Sequence, residues 1–230
     1  MNTTYSMRLT GGKQTGQETS FIGGKPKLPS GTVIPLCSLC AAEQTFFFQT
    51  AFPEDHVWNG LTLAVFACTS CADENLLIPE MLSGPLFGAK IPTNFLTSYQ
   101  KNFHFEAFDS TTGKLAEGYR ERIRFHQILL ERGDDGPILG KMGGVPSWIL
   151  EDESPRTYDS RIPMHFLLQL TPGFEFKTVR GAPPQIEVGL MGNPEPSPYD
   201  FYKLFIGNAV YMFGTTKGAN NLIYALTQVS

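Results

Sequence analysis

The sequence lacks a long apolar run and an excess of basic residues. Its longest apolar run, residues 61–68, has the length of a strand, whereas a membrane helix needs about 18 residues or more. The first residues have neither the basic flank nor the apolar stretch of a signal peptide. The formal net charge of -4 is unlike the basic surface that binds nucleic acid or an anionic membrane. We therefore expect a cytoplasmic protein that binds neither nucleic acid nor membranes directly.

Familiar catalytic motifs are also missing. The sequence contains no Gly-x-Ser-x-Gly motif, no glycine-rich dinucleotide fingerprint and no His-x-x-x-His pair. These absences predict that the protein is not an enzyme. An enzyme of an unrecognised type would instead need a deep pocket with carboxylates beside one or more of the polar side chains Gln49, Gln169, His56 and His165.

Cysteine is scarce, and its four copies form two Cys-x-x-Cys pairs. Cys37 pairs with Cys40, and Cys68 pairs with Cys71. Such pairs present sulfur atoms from tight turns, and two facing turns form the four-thiolate site typical of structural zinc. Four thiolates leave no open position for water or substrate, which disfavours a catalytic zinc. Buried free thiols and redox chemistry are the alternatives, and His56 is either a loop histidine or a hydrogen-bonding neighbour of the metal.

Two parts of the chain resemble each other. Residues 23–26 (Gly-Gly-Lys-Pro) correspond to residues 143–146 (Gly-Gly-Val-Pro), an offset of 120 positions. Residues 46–49 (Phe-Phe-Phe-Gln) correspond to residues 166–169 (Phe-Leu-Leu-Gln) at the same offset. Two separate matches at one offset predict a duplicated unit, in which each copy has a glycine turn followed by an apolar strand ending in glutamine.

A third match shows where the copies differ in length. Residues 60–66 resemble residues 207–213 at an offset of 147, so the second copy has gained 27 residues between its strands. The gain falls in a proline-rich excursion at residues 177–200, for which we expect no regular structure. All four cysteines are absent from the second copy, which is what a single metal site in the first copy predicts.

These matches predict how the chain is organised. We expect a single domain over residues 1–230, with one repeat at about residues 20–75 and the other at about 140–216. The connecting segment, residues 76–139, contains a predicted strand at 102–108. Residues 117–132 fit either a helix or a long strand. Abundant glycine (23) and proline (17) favour short strands and frequent turns over long helices.

The combined pattern resembles a known family. Gly-Gly-x-Pro, Pro35-x-Cys37-x-x-Cys40, the Phe-Phe-Phe-Gln run and the Val-Phe-x-Cys ending at Cys68 are similar to the YwqG-like family of bacterial domains. More distantly, they resemble the amino-terminal part of programmed cell death protein 2. The resemblance covers about residues 20–72 and 140–216. It implies an α+β, β-rich fold in which two pseudo-symmetric repeats form one compact globular unit, with a zinc clip in the first.

The resemblance also carries an expectation of function. Some YwqG-like proteins look like immunity proteins that neutralise secreted toxins, including type VI secretion nucleases, by direct contact. The relatives of programmed cell death protein 2 instead resemble chaperones for a basic ribosomal protein, which is the alternative here. An acidic protein suits either kind of basic partner. The candidate contact surfaces are the 177–200 excursion and two acidic clusters: Asp134, Asp135, Glu151, Asp152 and Glu153. The alternative for these clusters is that they are solvent-exposed turns with no partner.

Overall fold

The chain folds almost entirely into β-strands joined by turns and irregular loops. The computed structural model describes residues 3–133 and 139–229. The strands are β1 (Thr4–Thr10), β2 (Phe21–Ile22), β3 (Lys27–Leu28), β4 (Thr45–Ala51), β5 (Leu61–Ala67), β6 (Lys90–Ile91), β7 (Phe103–Asp109), β8 (Lys114–Leu115), β9 (His126–Arg132), β10 (Gly140–Gly143), β11 (Thr157–Tyr158), β12 (Ile162–Leu170), β13 (Phe176–Lys177), β14 (Ile186–Val188), β15 (Pro194–Pro196), β16 (Phe201–Tyr202), β17 (Ala209–Thr215) and β18 (Ile223–Gln228). Helix in these residues is limited to α1 (Phe95–Ser98) and one 3-10 segment (Leu204–Gly207).

The predicted β-rich fold is therefore confirmed, whereas the α+β class is not. A single four-residue α-helix adds no helical layer to the sheets. None of the helix found in residues 3–133 and 139–229 is long and apolar enough to cross a bilayer. The fold is a compact, β-rich globule.

One large sheet organises the molecule. Its main path runs in the order β18-β17-β12-β10-β1-β9-β2-β4-β5-β7, and β11 and β6 extend it from the side of β12. The neighbours on this path pair antiparallel. The first strand, β1, lies in the middle, because it pairs with β10 on one edge and β9 on the other. The amino-terminal strand thus joins the two halves of the sheet.

The apolar runs are buried on both sides of the sheet. In β4, Phe47 belongs to the main core, whereas Phe46 belongs to a smaller core that also contains Phe66. In β5, alternate residues from Leu63 to Phe66 likewise divide between the two cores. A strand covered on both faces needs no polar alternation, which explains why these segments are almost wholly apolar. The main core also includes Leu168 and other side chains from the second half.

Strand registers in the two halves correspond position by position. Phe21 pairs with Gln49 between β2 and β4, and Lys141 pairs with Gln169 between β10 and β12, which are positions 120 apart. A register irregularity falls between Phe46 and Phe48 in β4 and at the corresponding place in β12. Such bulges add local twist at a fixed position in a strand.

The two strand-end glutamines make the same contact in each half. The Oε1 atom of Gln49 accepts a hydrogen bond from the backbone N–H of Lys27 at 2.8 Å. The Oε1 atom of Gln169 accepts one from the backbone N–H of Ser147 at 2.7 Å. Each amide therefore holds the segment that follows a Gly-Gly turn against the sheet. Gly23 and Gly143 begin these turns with φ angles of 58° and 68°, a region that favours glycine.

Three sequence predictions concern the connecting segments. The strand predicted at residues 102–108 is confirmed as β7. Of residues 117–132, only β9 is regular, so the strand alternative is correct for its second half and a helix is absent there. The expectation that residues 177–200 have no regular structure is wrong, because β14 and β15 form a short antiparallel ladder and β13 pairs with β16.

Candidate metal centre

The β4–β5 hairpin brings the two cysteine pairs together. Cys37 and Cys40 lie in the loop that leads into β4, and Cys68 and Cys71 follow the end of β5. Because the strands are antiparallel, with Thr45 opposite Ala67, the start of one and the end of the other lie at the same end of the sheet. A local hairpin is therefore enough to place the four sulfur atoms side by side.

Backbone hydrogen bonds shape each turn around its cysteines. The N–H of Cys37 donates to the carbonyl of Ala42 at 2.9 Å, and the N–H of Ala41 donates back to the carbonyl of Cys37 at 2.8 Å. Ala41 has a φ of 60°, which closes this turn tightly. After β5, the N–H of Cys68 donates to the carbonyl of Asn102 at 2.7 Å, and the N–H of Ser70 points at the Cys68 sulfur at 3.3 Å.

The four sulfur atoms form one cluster. The Sγ atom of Cys71 lies 3.8 Å from that of Cys37 and 3.5 Å from that of Cys68, and Cys40 and Cys68 are 3.7 Å apart. All four sulfur atoms lie within 4.8 Å of one another. These separations are far longer than the ~2.05 Å of a disulfide, and all four thiols are free. The predicted set of Cys37, Cys40, Cys68 and Cys71 is thus assembled in space and can hold a metal ion.

Burial makes this cluster an unfavourable place for thiolates without a compensating cation. With only protein groups acting, burial raises the pKa of Cys68 to about 11, and it also raises the pKa of Cys71. At Cys40 burial opposes ionisation too, but hydrogen bonds from the N–H of Ala42 and from the other thiols lower its pKa overall. A bound divalent cation would reverse the effect of burial by stabilising the ionised sulfurs.

A cavity missed by the sequence reasoning adjoins the cysteines. It encloses about 190 Å³ and is lined by Cys68 and Cys71 on one side and by β14 and Lys203 on the other. The far wall comes from the extra residues of the second half. Their length was visible in the sequence, but only the folded chain shows that they return to the cysteines. None of Gln49, Gln169, His56 and His165 lines this cavity.

His56 has a structural role away from the sulfur cluster. Its ring stacks on Phe52 with centroids 4.6 Å apart, and its Nδ1 atom accepts the backbone N–H of Trp58 at 3.0 Å. A Cβ built at Gly143 would lie 3.4 Å from the ring, which places His56 against the second half of the sheet. This location agrees with the loop-histidine alternative and not with a role beside the metal. Desolvation by burial lowers the pKa of His56 to about 4, although the carbonyl of Leu167 favours its protonated form.

The burial of His56 predicts acid sensitivity. Its pKa is about 4 when folded and near 6.5 when unfolded, so the unfolded chain binds the proton more tightly. Neutral His56 makes its full contribution to the free energy of unfolding above about pH 6.5. This contribution falls by up to ~3 kcal/mol as the pH drops to 4. Urea unfolding at pH 7.5 and 4.5 should show this loss in the wild type and a smaller loss in His56→Asn, whose side-chain oxygen can still accept the Trp58 N–H. His126→Asn, which leaves His56 intact, should keep the wild-type loss, and equal losses in both variants would contradict the assignment.

The acidic clusters predicted to bind a partner divide into two groups. Asp134 and Asp135 lie outside the described residues. Asp152 is exposed, and its side chain accepts the N–H of Ser154 at 2.8 Å. The Glu153 carboxylate accepts the side-chain amide of Gln228 at 3.1 Å, and the backbone carbonyl of the exposed Glu151 accepts the same amide at 2.8 Å. These contacts tie the second cluster to the last strand.

No protein-family model matches this chain, and comparison with curated proteins finds no match.

Proposed function

We propose that this chain is an immunity protein that neutralises a basic secreted toxin, such as a type VI secretion nuclease, by direct contact. The observation that carries the proposal is a set of exposed apolar side chains on the two segments that border the cysteine cluster. Val33 and Leu36 precede Cys37 and are 81% and 59% exposed. Leu190 and Met191, at the tip of the β14–β15 hairpin, are 106% and 84% exposed. Exposed apolar side chains gathered in this way are typical of protein-binding surfaces.

The hairpin tip lies close to the second cysteine turn. A Cβ built at Gly192 would lie 3.8 Å from the carboxylate of Glu74, three residues after Cys71. Because the four cysteines form one cluster, the hairpin tip and the cysteine turns belong to one end of the molecule. The net charge of -4 supports a basic partner, because opposite charges speed encounter and exclude wrong partners.

We propose that the four cysteines bind one structural Zn²⁺. Zinc bonded to sulfur at ~2.3 Å in a tetrahedron separates neighbouring sulfurs by about 3.8 Å. The observed separations of 3.5, 3.7 and 3.8 Å fit this arrangement. A zinc ion would join the loop before β4, which carries Val33 and Leu36 of the proposed binding surface, to the segment after β5.

We also propose that the two halves are copies of one folding unit. The equal offsets of the paired residues, the matching bulges and the two glutamine contacts support this origin. In that view the first copy keeps the metal site, whereas the second has acquired the excursion that lines the cavity beside it. The YwqG-like resemblance is compatible with such a duplication.

Co-expression with a candidate toxin, sought among the genes that neighbour this one, tests the proposed function. Wild-type protein should protect cells and form a complex with the toxin on gel filtration. Changing Leu190 and Met191 together to serine should weaken binding by about 30-fold, the effect of losing a contact worth ~2 kcal/mol. Leu129 and Val145, also exposed and outside every candidate contact surface, provide a double-serine control that should bind normally. A toxin that still kills, with no complex formed, contradicts the proposal.

A chaperone for a basic, ribosomal-type protein is the second candidate function. The acidic net charge supports it as well as it supports a toxin partner. The two functions predict different gene neighbourhoods, because an immunity gene lies beside its toxin gene and a chaperone gene does not require one. Recovery of one ribosomal protein as a stoichiometric complex from cells lacking any neighbouring toxin would favour the chaperone.

A further inference from the structure

The cavity beside the cysteines has the shape and charge of a pocket for a single side chain. It encloses about 190 Å³ between the segment that follows β5 and the excursion of the second half. Leu76, Leu77, Val188 and Ile206 contribute apolar side chains to its lining. A long aliphatic stem would therefore find apolar contacts on both walls.

Two carboxylates give the same cavity an anionic character. Asp73 and Glu187 line it and are partly exposed. Within residues 3–133 and 139–229, neither carboxylate is paired with a cation. Asp73 uses one oxygen to accept the N–H of Asn75 at 2.9 Å, which fixes its loop and leaves the other oxygen available.

The cation of the cavity, Lys203, is occupied elsewhere. Its ammonium lies over the rings of Tyr199 and Phe201, 5.5 and 5.8 Å from their centroids. Cation–π contacts of this kind satisfy the charge without neutralising a carboxylate. Zinc bound by four thiolates would add a formal charge of about -2 at the wall formed by Cys68 and Cys71. The field inside the cavity thus favours a cationic ligand.

The rim of the cavity is held in a costly backbone conformation. Phe205 and Ile206 have φ angles of 47° and 55°, in the left-handed region that β-branched and bulky residues rarely adopt. Phe205 is buried in the main core, whereas Ile206 is 51% exposed at the cavity. This loop places an apolar side chain at the mouth of the cavity in a strained conformation, which the packing around it must offset.

We propose that this cavity binds one arginine side chain of the basic partner. The arginine stem packs between Leu76 and Val188, and the guanidinium faces Asp73 and Glu187. Arginine suits the site better than lysine, because its planar group is less strongly hydrated and presents several donors to two carboxylates. This inference rests on the proposed protein-binding function and names the group that the surface recognises.

Peptide binding tests the pocket without any toxin. The probes are N-acetyl-Gly-Leu-Arg-Leu-Gly-amide and the same peptide with citrulline, which is neutral but nearly isosteric with arginine. Titration into the zinc-loaded full chain, followed by amide NMR shifts, should show binding of the arginine peptide at residues 185–188 and 203–206. The citrulline peptide should bind at least 10-fold more weakly, and added salt should reduce the difference. Equal binding of the two peptides, or no binding of either, overturns the proposal.

Charge-neutralising variants locate the effect. The double variant Asp73→Asn, Glu187→Gln should reduce the affinity for the arginine peptide about 10-fold and leave the citrulline peptide unaffected, and the new asparagine can still accept the Asn75 N–H. The control Glu54→Gln removes one exposed carboxylate from the turn at the opposite end of the β4–β5 hairpin and should bind like the wild type. An equal loss in the control would refute the assigned pocket. If the protein fails to protect cells from the toxin but still prefers the arginine peptide, the result would count against the immunity function and not against the pocket.

Discussion

Changing Cys37 and Cys68 together to serine should reduce bound zinc from about one atom per chain to a trace. The pair removes one ligand from each turn, and the two remaining thiols cannot complete a tetrahedral site. We expect the free energy of unfolding to fall by ~4 kcal/mol, in the range typical of losing a structural metal. Elemental analysis of the purified protein and urea unfolding measure the two effects.

The loss should be local to one end of the sheet. The main core draws on both halves and contains no cysteine side chain, so the remaining strands should keep their fold without metal. Hydrogen exchange should accelerate in residues 35–44 and 67–77 and stay slow in β12 and β17. The control changes Ser38 and Ser70 to alanine, beside the cysteines, and should retain zinc. Metal-free protein of native stability would contradict the zinc site.

Changing Trp58 to alanine should destabilise the protein by ~4 kcal/mol. Trp58 is fully buried in the β4–β5 turn, and its indole N–H donates to the carbonyl of Thr215 in β17 at 2.7 Å. A Cβ built at Gly214 would lie 2.4 Å from the indole ring, so the ring fills a space that glycine leaves open. Alanine would leave a large cavity and an unpaired buried carbonyl, each of which is costly. Thermal or urea unfolding gives the magnitude.

Two variants separate packing from hydrogen bonding at this position. Trp58→Phe keeps most of the apolar contact but leaves the Thr215 carbonyl unpaired, so we expect a loss of about 1–3 kcal/mol. Trp148, which is half-buried and stacks on Tyr211 with centroids 4.3 Å apart, is the matched control. Trp148→Ala should cost about half as much as Trp58→Ala or less, because a partly exposed ring loses less burial. Equal losses from the two tryptophans would contradict the prediction that the contacts of Trp58 with β17 make the larger contribution to stability.

The cysteine cluster was predictable because its geometry is local. Both Cys-x-x-Cys pairs flank strands of one hairpin, and only 27 residues separate Cys40 from Cys68. Hairpin pairing follows from two apolar runs and the turn between them, so it required no knowledge of the rest of the chain. The role of Gln49 and Gln169 in holding backbone was equally accessible, because a glutamine in an apolar strand needs a hydrogen-bonding partner.

Sequence reasoning was weakest where distant segments meet. His56 was interpreted as either a loop histidine or a neighbour of the metal, and only tertiary packing, which places it against Gly143, favours the loop histidine. The 177–200 excursion was expected to be irregular because of its prolines, yet Pro194 and Pro196 lie in a two-stranded ladder. Proline is tolerated at such an edge, since its missing N–H costs only one ladder bond.

The sequence by itself determined the β-rich class, the four clustered thiols and the correspondence between residues about 120 positions apart. These properties depend on apolar patterning, short-range turns and comparison of the chain with itself. Only the tertiary structure decided that β1 joins the halves, that Trp58 of one half packs on Gly214 of the other, and that the excursion returns to form a cavity beside Cys68 and Cys71. Each of these contacts joins residues far apart in sequence, and its energy depends on complementary shape and charge that no single segment displays.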